Sequence, residues 1–145
     1  MTDPDLMRML LEAHRALAAE LRDVLEERGY PQARAGYAAV FMHIDRRSGT
    51  RLTELARRAH ISKQGMMLIV DDLEQIGLVR RVRDPADGRA KVVRLTAKGR
   101  RFVAEARRAM GTIEGRVRRE LGDRRYEVLR SGLAQVVDER GPARP

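Results

Sequence analysis

A mainly helical fold with one small β-hairpin is predicted for this chain, and three observations between residues 52 and 95 predict it. Two helix-sized segments meet at a sharp turn, the second carries one apolar and one mixed face, and it runs directly into a strongly basic pair of strands. That order is the signature of a winged helix-turn-helix.

The first segment, Leu52 to Ala59, places Leu52, Leu55 and Ala59 on one face, with Thr53 as its expected N-cap. After His60 and Ile61, Ser62 is a second N-cap, opening a helix from Lys63 to Ile76 that Gly77 stops as the C′ residue. Met66, Ile69 or Val70, Leu73 and Ile76 recur at helical spacing, so that face belongs to a core. The opposite face carries Gln64, Met67, Leu68 and Asp71, with Ser62 and Lys63 at the exposed N-terminal end. The second helix of such a motif enters the major groove N-terminus first, where side chains reach base edges and free N–H groups meet phosphate. Ser62, Lys63, Gln64, Met67 and Leu68 are therefore the candidate major-groove residues. Gln64 suits adenine, and the apolar Leu68 suits a thymine methyl.

The hairpin follows at once. Leu78 to Arg83 and Ala90 to Leu95 are rich in β-branched residues, and Asp84-Pro85-Ala86-Asp87-Gly88-Arg89 between them supplies the turn. From Val79 to Arg94 six basic residues oppose two acidic ones. This density suits a phosphate backbone, so Arg80, Arg81, Arg83, Lys91 and Arg94, with Arg51 just upstream, are the candidate phosphate contacts. Arg89 follows Asp87-Gly88 at the hairpin tip, where a long cationic side chain reaches farthest.

These residues resemble a known family, the MarR-type bacterial transcription regulators. The resemblance rests on Leu52-Thr53-Glu54-Leu55-Ala56, on Asp71-Asp72-Leu73-Glu74-Gln75-Ile76-Gly77-Leu78-Val79, and on the wing phrase Arg83-Asp84-Pro85-Ala86-Asp87-Gly88-Arg89-Ala90, closed by Leu95-Thr96-Ala97-Lys98-Gly99. It covers residues 51 to 99 firmly and the flanks by helix pattern and length. It implies that Arg89 enters the minor groove while Asp84 or Asp87 orients it. It also implies a cleft between the helical arms and the DNA-reading part that takes a small lipophilic or phenolic effector, with His14, Tyr37, Phe41 and Met42 as candidate lining residues.

Composition is consistent with this reading. The 145 residues imply one domain, and 43% hydrophobic content is enough for a core. The net charge is +9, carried almost wholly by arginine, the side chain that pairs bidentately with phosphate and guanine. A nucleic acid or another acidic surface is favoured as partner. The absence of cysteine excludes disulfides and thiol-based sensing. The start, Met1-Thr2-Asp3-Pro4-Asp5, has no secretory pattern and no run approaches a membrane span, so a cytoplasmic, nucleoid-associated protein is expected.

The flanks read as helices. Leu6, Met9, Leu10, Ala13, Leu17, Leu21, Val24 and Leu25 mark a long amphipathic helix ending at Gly29-Tyr30-Pro31, and a second is expected from about Gln32 to Asp45. Downstream, Thr96 is an N-cap for a helix through Phe102, Val103, Ala106, Met110 and Ile113. A break near Gly122 precedes a last helix with Tyr126, Leu129, Leu133, Val136 and Val137. A chain this short has little core with which to cover both terminal stripes, and pairing with a second copy would bury them. The expected organisation is a single domain, 1–145, with a winged part at 48–97 and helical dimerisation arms at 5–30 and 98–140.

Other chemistries find little support. His14, His43 and His60 share no helix at metal-ligand spacing, and no zinc site or cofactor is expected. Asp71 and Asp72 are adjacent and point about 100° apart on a helix, which is unsuited to paired-carboxylate catalysis. No catalytic triad order or phosphate-binding glycine loop is present, so no enzyme is expected. Arg118-Arg119 reads as a solvated face, and the methionines as gap-filling packing. The leading function is a homodimeric, sequence-specific repressor on an inverted repeat, released by a small ligand. The alternatives are an architectural DNA-binding protein of low specificity and a winged-helix protein-interaction module.

Overall fold

The computed structural model describes residues 5–30 and 34–140. Helix α1 (Leu6–Glu27) is capped by Asp5, whose carboxylate accepts the Arg8 N–H at 2.8 Å. A 3-10 turn (Ala35–Tyr37) leads into the single-turn α2 (Ala38–Phe41). Strand β1 (Thr50–Arg51) passes without a break into α3 (Leu52–Ala59), followed by α4 (Lys63–Gln75), β2 (Val79–Arg83) and β3 (Lys91–Leu95). Two long helices follow, α5 (Ala97–Leu121) and α6 (Asp123–Arg140). The result is the mainly helical winged architecture that the sequence predicts.

Two expectations are corrected. The helix expected over Gln32 to Asp45 is confined to the 3-10 turn and the single turn of α2; beyond them the chain turns at Asp45, whose carboxylate accepts the Arg47 and Ser48 N–H groups at 2.8 and 2.7 Å. That side-chain turn offers the backbone an alternative to helix. The expected start at Gln32, like the end of the first helix at Pro31, lies outside the described residues. The second correction is at α3, where Arg51 occupies the N-cap position without a side-chain cap bond and Thr53 lies inside the helix. The cause is non-local: Thr50 and Arg51 pair with Val93 and Val92, and that ladder fixes where the helix begins.

The sheet has strand order β1-β3-β2 and is antiparallel throughout. Its β2–β3 register pairs Val79 with Leu95, Arg81 with Val93 and Arg83 with Lys91. Alternation along a strand then puts Val79, Val93 and Leu95 on the core side. They join Leu55, Met66, Val70, Leu73, Tyr37, Val40, Phe102 and Val103 in one apolar cluster. Two glycines permit the close packing behind the wing. Gly77 ends α4 at φ +77°, a conformation that side-chain-bearing residues rarely adopt. Gly99 lies so near the Leu78 carbonyl that an added Cβ would sit 1.9 Å from its oxygen. Thr96 caps α5 as expected, accepting the Gly99 N–H at 2.9 Å, and its hydroxyl donates to the Gly77 carbonyl at 2.6 Å. The start of α5 is thereby locked onto the α4–β2 junction.

Helix α1 lies against α5, joined by Arg28–Glu105 at 3.1 Å and by an Arg116–Glu20 ion pair. Packing is concentrated in the C-terminal half of α1: Leu25 is buried and Leu21 half-buried, whereas Leu6, Met7, Met9 and Leu11 are exposed. In α6, Tyr126 is half-buried and every other described side chain is exposed.

Candidate nucleic-acid interface

The turn between α3 and α4 is tight because of three residues. His60 ends α3 in the left-handed region at φ 53° and ψ 39°, and the Ile61 N–H returns to the Ala56 carbonyl at 3.0 Å. Ser62 caps α4 by accepting the Gly65 N–H at 3.0 Å. A Cβ on Gly65 would stand only 3.0 Å from both Ile61 and the Ser62 hydroxyl, so a small residue is needed for this close approach. Helix α4 divides as its sequence predicts. Met66, Val70 and Leu73 are fully buried, while Ser62, Lys63, Gln64, Met67 and Leu68 are all exposed. Two large apolar side chains, Met67 and Leu68, thus stand in solvent on a helix otherwise anchored in the core.

Backbone bonds close the wing turn: the Asp84 N–H donates to the Ala90 carbonyl at 2.9 Å and the Ala90 N–H to the Asp87 carbonyl at 3.0 Å. Asp84 also accepts the Ala86 N–H at 2.9 Å. Its remaining oxygen receives two donors from one guanidinium, Arg51 Nε at 2.8 Å and Nη2 at 2.7 Å. The same Nη2 lies 3.7 Å from Asp87, whose other carboxylate oxygen accepts the Arg89 backbone N–H at 3.1 Å. The Ala86 N–H and then the Arg51 guanidinium hold the Asp84 carboxyl below the usual carboxylate range.

This geometry corrects the expectation that Asp84 or Asp87 holds the Arg89 side chain. Their carboxylates pair with the Arg51 guanidinium, and Arg89 is held through its backbone. The reason is reach, since β1 lies beside β3 and brings Arg51 to the base of the wing, while the Arg89 side chain leaves the tip exposed.

The basic residues of the hairpin divide into two groups. Arg80, Arg83, Arg89 and Lys91 are exposed and make no ion pair among the described residues. Arg81 is corrected from its expected phosphate role. Its side chain is 22% exposed and bridges Asp71 and Glu74 of α4, each at 2.5 Å, while its backbone N–H donates to Glu74 at 2.9 Å. That backbone bond is the main cause of a lowered Glu74 pKa. Arg81 therefore ties the wing to the recognition helix. Arg94 is half-buried and donates to the Arg47 carbonyl at 2.5 Å. Sequence reading missed both ties, for their partners lie 7 to 47 residues away.

The residues proposed to line an effector cleft differ widely in exposure. Tyr37 is buried in the core, where desolvation raises its phenol pKa, and Phe41 packs on Phe102 with ring centroids 5.0 Å apart. His14 and Met42 are exposed. A cleft of about 700 Å³ lies elsewhere, between the wing, the start of α3 and the loop before β1; Asp45, Arg51, Glu54, Asp84 and Arg94 are among its lining residues. Of the remaining candidates, Asp71 is paired with Arg81 and Asp72 with Arg34 at 3.4 Å, and among the described residues no three His, Asp or Glu side chains form a metal-binding group. Arg118 is better explained than as a solvated charge: it bridges Asp123 at 2.5 Å and Glu127 at 3.3 Å and covers the Tyr126 ring, joining α5 to α6. No helix among the described residues is long and apolar enough to cross a membrane.

Comparison with known proteins agrees with this architecture. The chain is 23% identical over 97 residues to the HTH-type transcriptional regulator BilQ of Clostridioides difficile, a match spanning 67% of the chain and 66% of that protein, just under two thirds. It superposes on the transcriptional repressor CouR bound to a 23-mer DNA duplex with a TM-score of 0.76, at 28% identity and 92% coverage of each chain. CouR from Rhodococcus jostii bound to p-coumaroyl-CoA superposes with a TM-score of 0.75, at 22% identity, covering 96% of this chain and 94% of that one. The MarR family profile matches residues 29–90, which run from the end of α1 through the helix-turn-helix to the wing tip. The winged fold, the family profile over its central part and the structural neighbours agree in making this chain similar to the MarR family of transcriptional regulators.

Proposed function

We propose that this protein is a homodimeric, sequence-specific repressor that binds an inverted-repeat operator. The observation that carries the reading is the division of α4, whose inner face is fixed in the core while Ser62, Lys63, Gln64, Met67 and Leu68 stand exposed beside a basic wing. Gln64 and Ser62 supply hydrogen bonds in the major groove, with Gln64 suited to adenine, and Leu68 packs on a thymine methyl. Lys63 and Met67 lie at the groove edge. Arg89 enters the minor groove, where narrow A·T tracts concentrate negative potential. Arg80, Arg83 and Lys91 hold phosphates and set register. That CouR is described as a repressor bound to a DNA duplex supports the same reading.

The dimer is proposed from the unpaired apolar surface of the arms, Leu6 to Leu11 on α1 and Val128 to Val137 on α6. A two-fold dimer carries two copies of α4, and an operator for it has half-sites centred about one turn, ~34–36 Å, apart. A small amphipathic effector is part of the proposal, supported by the binding of p-coumaroyl-CoA to CouR. Selection of bound fragments from host genomic DNA, followed by footprinting, tests the whole. Two protected half-sites related by a dyad are expected, released by an effector of that chemical type. A ratio near one between selected and random DNA would instead favour an architectural protein.

A further inference from the structure

We propose that Arg51 is a positioning residue of the wing, one that sets the minor-groove arginine Arg89 from the outer strand instead of contacting phosphate itself. The inference rests on the DNA-binding reading above and deepens it. Arg51 stands in β1, opposite Val92 in the register, while the wing turn begins 33 residues later. Its Nε and Nη2 converge on one Asp84 oxygen at 2.8 and 2.7 Å, and Nη2 faces Asp87 at 3.7 Å. The Nε–Nη2 edge, one of the two edges with which a guanidinium can bind a phosphate bidentately, is thus already committed to the wing carboxylates.

Each carboxylate in turn holds wing backbone: Asp84 accepts the Ala86 N–H at 2.9 Å and Asp87 the Arg89 N–H at 3.1 Å. A single guanidinium therefore connects β1 to both halves of the turn. The Asp84 side chain is only 13% exposed, so a missing partner would leave a largely desolvated carboxylate beside DNA. Lysine could reach one oxygen but lacks two donors on one rigid edge. Loss of the clamp releases the turn, and Arg89 then has to be ordered during binding, at the expense of affinity.

The experiment is a double-mutant cycle on the full-length protein, read by titration of a selected operator across a salt series. Arg51→Gln is expected to weaken binding about tenfold, the middle of the range for coupled contacting residues. Asp84→Asn should do the same although it makes the wing more positive. Both losses should disappear in the Arg89→Ala background, and the salt slope of Arg51→Gln should match that of the unmutated protein. A slope lower by about 0.9, with a loss that adds to that of Arg89→Ala, would make Arg51 a direct phosphate contact and overturn the proposal. Backbone hydrogen exchange in the free protein is the second readout. Arg51→Gln should expose the Ala86 and Arg89 amides while α4 stays protected, and Arg51→Lys should restore part of that protection. Unchanged exchange at both amides would refute the clamp without reference to DNA, whereas failure of the unmutated protein to select any operator would refute the functional reading alone.

Discussion

The winged part and the terminal arms solve the same problem, the burial of an apolar stripe, in opposite ways. In the winged part the stripe is covered within one chain: Leu55, Met66, Val70, Leu73 and Val79 are each no more than 1% exposed. Charges there are also paired locally, with Arg81 joining β2 to α4 and Arg51 joining β1 to the wing turn. In α6 the stripe of Leu129, Leu133 and Val136 is uncovered, and Val128 and Val137 beside it are over 60% exposed. Burying such a side chain fully contributes roughly 1.5–3 kcal/mol, so five of them on each chain are a large reserve of association energy. The difference teaches that the DNA-reading part is complete as tertiary structure, whereas the arms carry an apolar stripe that this chain leaves uncovered.

The strongest test breaks the arms and leaves the reading part alone. Leu129→Glu with Leu133→Glu is expected to give a monomer whose operator affinity falls on the order of 10²–10⁴-fold, the usual loss when two linked binding events become one. Sedimentation and operator titration check it. A monomeric variant that kept full affinity would show that the exposed stripe has no part in reading DNA.

The converse test breaks the reading part. Gly99→Ala forces a Cβ to within 1.9 Å of the Leu78 carbonyl oxygen, a backbone atom that cannot rotate aside. A loss of about 1–3 kcal/mol is expected from such overpacking, measured by urea denaturation. The loss should persist at any protein concentration, whereas the stability gained from paired arms should vary with concentration.

How much was legible in the sequence follows the same division. Ser62, Gly77 and Thr96 marked real helix ends because caps are local, and the hairpin strands appeared where β-branched residues clustered. Thr53 was misread because β1 pairs with residues over 40 positions away, and the ties of Arg51 and Arg81 went unseen because their carboxylate partners stand on other elements. A two-residue strand has no periodicity to detect, and an arginine looks the same in sequence whether it meets phosphate or a carboxylate of its own chain. Leu52-Thr53-Glu54 carries a plausible cap at Thr53, and only the ladder to Val92 moves the helix start back to Leu52.

A smaller effect sharpens the electrostatic side of the comparison. Arg57 and then Arg58 donate to Glu54, lowering its pKa from 4.5 to about 2. Because the folded value is the lower one, the stabilisation is present above pH 4.5 and is lost as pH falls through about 2. Glu54→Gln should therefore flatten the acid limb of the stability–pH curve in that window. An unaltered limb would mean that the exposed pairs, at 2.7 Å in both cases, are screened to insignificance.

The smallest expected effect is at His60, the one side-chain-bearing residue with positive φ among those described. At φ 53° and ψ 39° it sits in the left-handed region, at a cost of roughly 1–2 kcal/mol for an L-residue, although His is among the residues that tolerate it best. Glycine removes that strain but adds freedom to the unfolded chain worth about 0.4–1 kcal/mol. His60→Gly should therefore change stability by no more than about 1 kcal/mol, in the stabilising direction. Since the turn fixes how α4 follows α3, operator affinity should follow stability and stay nearly constant. Affinity that falls while the denaturation midpoint holds or rises would identify the imidazole, exposed at the start of the recognition helix, as a DNA contact in its own right.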